Sequence, residues 1–310
     1  MRHWALASLA VGPGAAPRAR RALDILLGGR DAVRDSRLTH TGAPLELAFV
    51  SHSGALRYTV EPGRHPGQAL PHALTLMTRL GCPLPDQSLL RRLSDWQQAG
   101  PLRFGAHIGG RHGDGGDTYK LYAEIPIEAA ADAEAWGTPM LGRPPVLADP
   151  DRAARPVLIG INPATGEYEI YYRVENLHPM EIGALMQRIG LDDRAAEVRA
   201  IVTASQRIPP RHALPGRTWG FSYAVAAGRE PIFSLYGFAR MLFGPDGRIR
   251  DGVLALARRF DWDLEAYAQL SAPLRDSPSF TGRHGLFGIV VAPGSAPGAW
   301  IGLAPPMPEA

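Results

Sequence analysis

Strand-like runs occur along this chain in pairs, and helices separate the pairs. The runs 44–51 (PLELAFVS) and 55–62 (ALRYTVEP) flank the turn His52–Gly54. The runs 102–110 and 118–126 (LRFGAHIGG, TYKLYAEIP) flank the Gly-rich loop 111–117, and 155–163 and 167–175 (RPVLIGINP, EYEIYYRVE) flank 164–166. Two further pairs follow at 218–226 and 230–240, and at 284–293 and 299–306. Between them lie segments with helical periodicity at 18–29, 69–81, 86–100, 127–137, 179–190, 192–205 and 250–271. Single strands alternating with helices give a parallel sheet. Paired strands predict hairpins, and hence an antiparallel sheet assembled from five helix–strand–strand–helix repeats. Ten strands leave long edges in an open sheet, and closing it into a barrel removes them.

The faces of the strands predict what such a barrel contains. Leu56, Tyr58 and Val60 alternate with Arg57, Thr59 and Glu61. Tyr119, Leu121, Ala123 and Ile125 alternate with Thr118, Lys120, Tyr122 and Glu124. Tyr168, Ile170 and Val174 alternate with Glu169, Tyr171 and Arg173, and Phe233, Leu235 and Ala239 alternate with Ser234, Tyr236, Phe238 and Arg240. Each repeat has one apolar face for helices to cover and one face of cations, tyrosines and carboxylates. With helices outside, the mixed faces line an interior with room for a ligand. A half-open sheet with one wet face is the competing arrangement.

Composition sets the class. The 310 residues are 45% hydrophobic and 20% charged, as in a globular protein with ample core. The net charge of +3 is small and no basic run carries interleaved aromatics, so a nucleic-acid partner is not expected. One cysteine, Cys82, excludes a disulfide framework or a cysteine zinc site. The apolar run after the initiator is short and gives way to an arginine-rich helix, so a cytoplasmic monomer with no membrane segment is expected, rather than a secreted chain. His107, His112, Asp114 and Asp117 share a strand and its loop, but their spacing and the glycines between them predict a mobile hairpin loop ahead of a metal site. There is no aspartate-rich DDxxD-like motif and no Rossmann glycine pattern.

Five αββα repeats around an antiparallel barrel resemble the ABBA prenyltransferases, over about residues 20–305. The run PLELAFVS with LRYTVEP resembles the first hairpin of the fungal indole enzymes, and KLYAEIP resembles their Lys-x-Tyr strand. GEYEIYYRV, with Glu169 where the fungal enzymes repeat the lysine, is similar to the cyanobactin-type peptide enzymes. The resemblance implies an α+β ABBA barrel of ten antiparallel strands in one domain, residues 1–310. It implies transfer of a dimethylallyl or geranyl group from an allylic diphosphate to an electron-rich side chain (Trp, Tyr, Arg or His) of a peptide. A small indole or phenol is the alternative acceptor, and a ligand-binding or scaffold barrel the alternative outside enzymes.

By position within that resemblance, Glu46 is the acceptor-binding base, and Arg57 and Lys120 are diphosphate ligands. Tyr122, Tyr171, Arg173, Ser234 and Tyr236 complete the diphosphate and tyrosine-shield set. Trp219, Phe221, Phe238, Phe287 and Trp300 are the candidates for the prenyl and acceptor pocket. The residue types suit the chemistry: a departing diphosphate needs cationic donors, an allyl cation needs π-faces and dryness, and the acceptor must lose a proton. No cofactor is implied beyond magnesium accompanying the diphosphate. Simpler roles exist for the same residues: Arg57 can pair with Glu61, and Tyr171 can be ordinary strand filling.

Overall fold

The structure, a computed structural model, describes residues 14–28, 35–51, 55–149, 152–206, 213–276 and 282–305. The turn expected at His52–Gly54 and the N-terminal apolar run before Gly14 lie outside these residues. Ten strands form one closed sheet: β1 (Leu45–Val50), β2 (Leu56–Val60), β3 (Ala106–Gly113), β4 (Gly116–Glu124) and β5 (Arg155–Asn162), then β6 (Glu167–Glu175), β7 (Thr218–Val225), β8 (Ile232–Phe238), β9 (His284–Val291) and β10 (Gly298–Leu303). Every neighbouring pair is antiparallel, and β1 pairs with β10 to close the barrel. The five hairpins and the closure expected from the paired runs are both present.

Helices cover the outside. They are α1 (Ala16–Leu27), α2 (Pro66–Arg79), α3 (Gln87–Gln98), α4 (Ala130–Leu141), α5 (Ile182–Gln187), α6 (Ala195–Ala204), α7 (Ala239–Phe243), α8 (Asp246–Phe260) and α9 (Glu265–Ser271). Their buried stripes, such as Ala69, Ala73, Leu76 and Met77 of α2, rest on the outward strand residues Tyr58, Ile108, Leu121, Ile170 and Phe233. Asp86 caps α3 as its sequence predicts, accepting from the Ser88 and Leu89 N–H groups at 2.9 Å. No helix among the described residues is long and apolar enough to cross a membrane.

The second hairpin departs from expectation. Its strands run on through Arg111–Gly113 and Gly116–Asp117, so the predicted loop shrinks to Asp114 and Gly115. Alternation then sends His107 inward and His112 outward. His112 stacks on Tyr58 and receives or gives a hydrogen bond to its hydroxyl at 2.9 Å, with Asp117 2.9 Å away and Arg18 of α1 beyond it. Among the described residues no three His, Cys, Asp or Glu side chains are arranged to hold a metal ion.

Candidate active site

The second strand of a hairpin repeatedly carries an inward aromatic ring, and its neighbour carries glycine opposite it. Tyr122 of β4 lies over Gly109 and Gly160, Tyr236 of β8 over Gly220, and Trp300 of β10 over Gly288. A Cβ at Gly109 would come within 2.7 Å of the Tyr122 ring, and Cβ atoms at Gly220 and Gly288 would overlap the rings above them. The rings therefore lie against the wall and reach one another. Tyr122 and Tyr171 have centroids 5.9 Å apart, Tyr171 and Tyr236 6.2 Å, and Tyr236 and Trp300 6.1 Å. Four rings from β4, β6, β8 and β10 make one arc of π-surface inside the barrel, a surface that suits a cation.

Cations meet one end of the arc. Lys120 points inward beside Tyr122, and its Nζ donates to Glu169 at 2.7 Å and pairs with Glu167 at 2.8 Å. Burial works against the ammonium charge, but the two carboxylates outweigh it and hold Lys120 above its ordinary pKa. Glu169 is correspondingly held below its own: burial would raise it, and Lys120, with hydroxyl donors from Ser222 at 2.6 Å and Tyr171, lowers it. Arg57 faces the same group. Burial and the nearby Arg111 push its pKa down, and its buried Nε has no hydrogen-bond partner. A buried N–H left unpaired costs about 1–3 kcal/mol, a cost that an anionic ligand would remove.

Glu46 stands in a different environment. It faces inward on β1 with Ala48 and Val50, and no described residue hydrogen-bonds to or ion-pairs with its carboxylate. It rests in a socket made by Gly285 and Gly302, where a Cβ on Gly302 would stand 2.7 Å from it and one on Gly285 would overlap it. Burial alone pushes its pKa to about 7. A carboxylate so placed is a base matched to neutral pH.

The remaining predicted residues divide. Ser234 lies on the inner wall opposite Ser222, and Phe238, 45% exposed, sits at a barrel end against His40. Arg173 is inward but lies apart from Lys120. Burial lowers its pKa first, and Arg103 and its cross-strand neighbour Arg155 lower it further. Glu124 acts on Arg173 in the opposite sense, but none of the three guanidinium groups forms an ion pair with a carboxylate among the described residues.

Trp219, Phe221 and Phe287 do not line the interior, contrary to the sequence expectation. Trp219 donates its Nε1–H to the Pro215 carbonyl at 3.0 Å, Phe221 stacks on Tyr172 with centroids 5.0 Å apart, and Phe287 packs edge-on against Phe243 of α7. All three belong to the outer core. The inward face of β7 is Gly220, Ser222 and Ala224, small residues that make room for Tyr171 and Tyr236.

Two features were not anticipated. Glu124, inward by alternation, accepts the N–H groups of Arg103, Phe104 and Gly105 at 2.7–3.0 Å and staples that loop over one end of the barrel. His107 stacks on Phe104 at 4.2 Å, its Nε2 is buried without a partner, and burial pushes its pKa down to about 3. A cavity of about 500 Å³ also lies outside the barrel, bordered by Ser205, Phe243, Arg248 and Asp251. It holds none of the inward-facing cations or rings, so the interior is the candidate site.

No protein-family model matches the chain, and no curated protein matches it. Solved structures do. The apo form of the prenyltransferase PriB is 18% identical, covering 99% of this chain and 98% of its own, with a TM-score of 0.77. The 5-dimethylallyltryptophan synthase from Streptomyces coelicolor is 16% identical over 98% of this chain and 95% of its own, with a TM-score of 0.75. A ternary complex of PriB with L-tryptophan and dimethylallyl thiolodiphosphate gives a TM-score of 0.76 at 17% identity, covering 99% and 98%. From end to end, the chain shares the ABBA prenyltransferase fold of these proteins.

Proposed function

We propose that this protein transfers an isoprenyl group from an allylic diphosphate to an electron-rich aromatic acceptor inside the barrel. The observation that carries the reading is the convergence of Arg57 and Lys120 on one end of the ring arc. Arg57 and Lys120 would bind the diphosphate through charge-assisted hydrogen bonds. The C–O bond of the donor breaks, and the bonding pair leaves with the diphosphate. The allyl cation that remains is held against Tyr122, Tyr171, Tyr236 and Trp300, which stabilise it and exclude water. A ring carbon of the acceptor supplies the pair for the new C–C bond. Glu46 accepts a hydrogen bond from the acceptor's N–H or O–H and takes up the proton released as the ring regains aromaticity.

The three unpaired arginines, Arg103, Arg155 and Arg173, support an acceptor that brings a carboxylate, such as a free aromatic amino acid. The complex of PriB with L-tryptophan accords with that choice. Magnesium, where present, would accompany the diphosphate and neutralise part of its charge. The carboxylates nearest it are Glu167 and Glu169, both engaged by Lys120.

The test is mass spectrometry of reactions with C5, C10 and C15 allylic diphosphates. The acceptors are free tryptophan and tyrosine, their decarboxylated amines, and peptides carrying the same residues internally. Expected is C5 transfer to a free amino acid, with poor use of the amines. Preferred transfer to internal peptide residues would replace this acceptor by the peptide of the cyanobactin-like reading. Tight diphosphate binding without transfer to any acceptor would leave a ligand-binding barrel.

A further inference from the structure

The socket of Glu46 is built by an irregularity in β9. Opposite β10 the register shifts between Ile301 and Leu303, so that Ile301 faces Phe287 and Leu303 faces His284. The extra residue on β9 breaks the alternation. His284 turns outward, and Gly285 turns inward against the Glu46 carboxylate. Bulges re-aim side chains, and this one delivers a bare backbone to the candidate base.

Three side chains behind the wall hold the bulge in place. Asp246, the first residue of α8, accepts the Arg283 N–H at 2.8 Å and the His284 N–H at 3.3 Å. It also accepts from Nδ1 of His284 at 2.7 Å, which leaves Nε2 to accept the hydroxyl of Tyr267 from α9 at 2.9 Å. His284 and Tyr267 are buried, at 2% and 0% exposure. Burial would raise Asp246, but the hydrogen bonds from His284 and the Arg283 backbone hold it below its ordinary pKa. Arg283 closes the bulge onto β10, its Nε donating to the Ala304 carbonyl at 2.9 Å while its own carbonyl accepts the Ala304 N–H at 2.8 Å. The other charged groups acting on Tyr267 are Arg250 and Asp251 of α8. None of the three side chains enters the barrel.

We propose that Asp246, His284 and Tyr267 are positioning residues, which pin the β9 bulge and through Gly285 hold the Glu46 carboxylate in its apolar socket. The claim about geometry stands on the contacts above; its bearing on turnover rests on the proposed prenyl transfer. Loosening the bulge lets water reach the carboxylate, so the socket no longer favours its neutral form. A base displaced by about an ångström loses rate without loss of donor binding.

Two variants test this, with readouts that a purely structural role would not move. His284→Gln breaks the strut, and Gly285→Ala keeps the strut but fills the socket. The ionisation of Glu46 is followed in the free protein by its infrared carboxyl band, taken as the difference from Glu46→Gln. The expected parent midpoint is about 7. In both variants it falls by about one unit or more, turnover drops about tenfold to a hundredfold, and donor affinity is unchanged. A midpoint that stays near the parent value in Gly285→Ala, or in a folded His284→Gln, overturns the proposal. If His284→Gln does not fold, Tyr267→Phe, which removes only the hydroxyl bonded to His284, takes its place, and an unshifted midpoint there overturns the proposal. The infrared titration needs no substrate. Absence of any transfer therefore counts against the proposed reaction, while the titration still decides the positioning.

Discussion

Burial holds the Glu46 carboxyl at about 7 against an ordinary 4.5, and this couples its ionisation to the stability of the fold. The folded-state pKa is the higher one. The stability tied to this group is therefore full below about 4.5 and is lost as pH rises through 7. The loss is on the order of 3 kcal/mol, since each pKa unit corresponds to about 1.4 kcal/mol. Glu46→Gln keeps the shape and removes the charge. The expected outcome is a melting temperature equal to the parent's near pH 4 and higher than the parent's near pH 8. Turnover moves the opposite way: the parent rate rises with pH through about 7, and the variant loses about a hundredfold to ten-thousandfold. Equal melting temperatures at pH 8 would mean that the carboxylate is hydrated. Lys120 poses the converse case, because Glu167 and Glu169 already neutralise it. Removing Lys120 or Arg57 as alanine should weaken diphosphate binding by about 1.5–3 kcal/mol. Glu169→Gln removes a negative charge facing the same anion and leaves a buried lysine with one partner fewer. It should tighten diphosphate binding about tenfold, or about 1.4 kcal/mol, while lowering the melting temperature. Calorimetric titration with inorganic diphosphate reads all three, and unchanged affinity throughout would move the anion elsewhere.

At the scale of strands, legibility in the sequence follows alternation. Where apolar and polar residues alternate strictly, as in β2, β4 and β6, the sequence places Arg57, Lys120, Tyr122 and Tyr171 on the inner face, and the structure agrees. Alternation fails as a guide where both faces are apolar. In β7 the large aromatics Trp219 and Phe221 suggest a pocket, yet the inner face is Gly220, Ser222 and Ala224. The inner wall there is small because the rings of neighbouring strands occupy the space. That is a cross-strand condition, which no single strand's sequence states. Phe287 goes astray for a second reason: the bulge that turns Gly285 inward also fixes which residues of β9 face α7. Bulges carry little local signal, since His284–Gly285 reads as ordinary strand. The pairing of Lys120 with Glu167 was equally invisible, although both residues lie on faces that alternation assigns inward. Which inward residues touch depends on the stagger between strands around the closed sheet.

At the scale of the molecule, closure ties the first repeat to the last. β1 hydrogen-bonds to β10 through Leu47–Leu303, Ala48–Gly302, Phe49–Ile301 and Val50–Trp300, so the first and last repeats share a wall. Glu46, on β1, rests on glycines of β9 and β10, and the ring arc spans β4 to β10. A ligand inside therefore touches residues from most of the chain and binds the unfolded chain not at all. Such a ligand stabilises by about 2.7 kcal/mol when present at about a hundred times its Kd. A chain of this length has an unfolding entropy of about 0.65 kcal/mol per degree at about 2.1 cal/mol/K per residue, so the shift is about 4 °C. The expected result with dimethylallyl thiolodiphosphate is a single calorimetric transition that moves upward by about that amount as a whole. Arg57→Ala and Lys120→Ala should lose most of the shift at the same ligand concentration. Splitting into two transitions, with only one responding to the ligand, would show that the 310 residues do not unfold as one domain. A shift that survives in both variants would place the ligand outside the barrel interior.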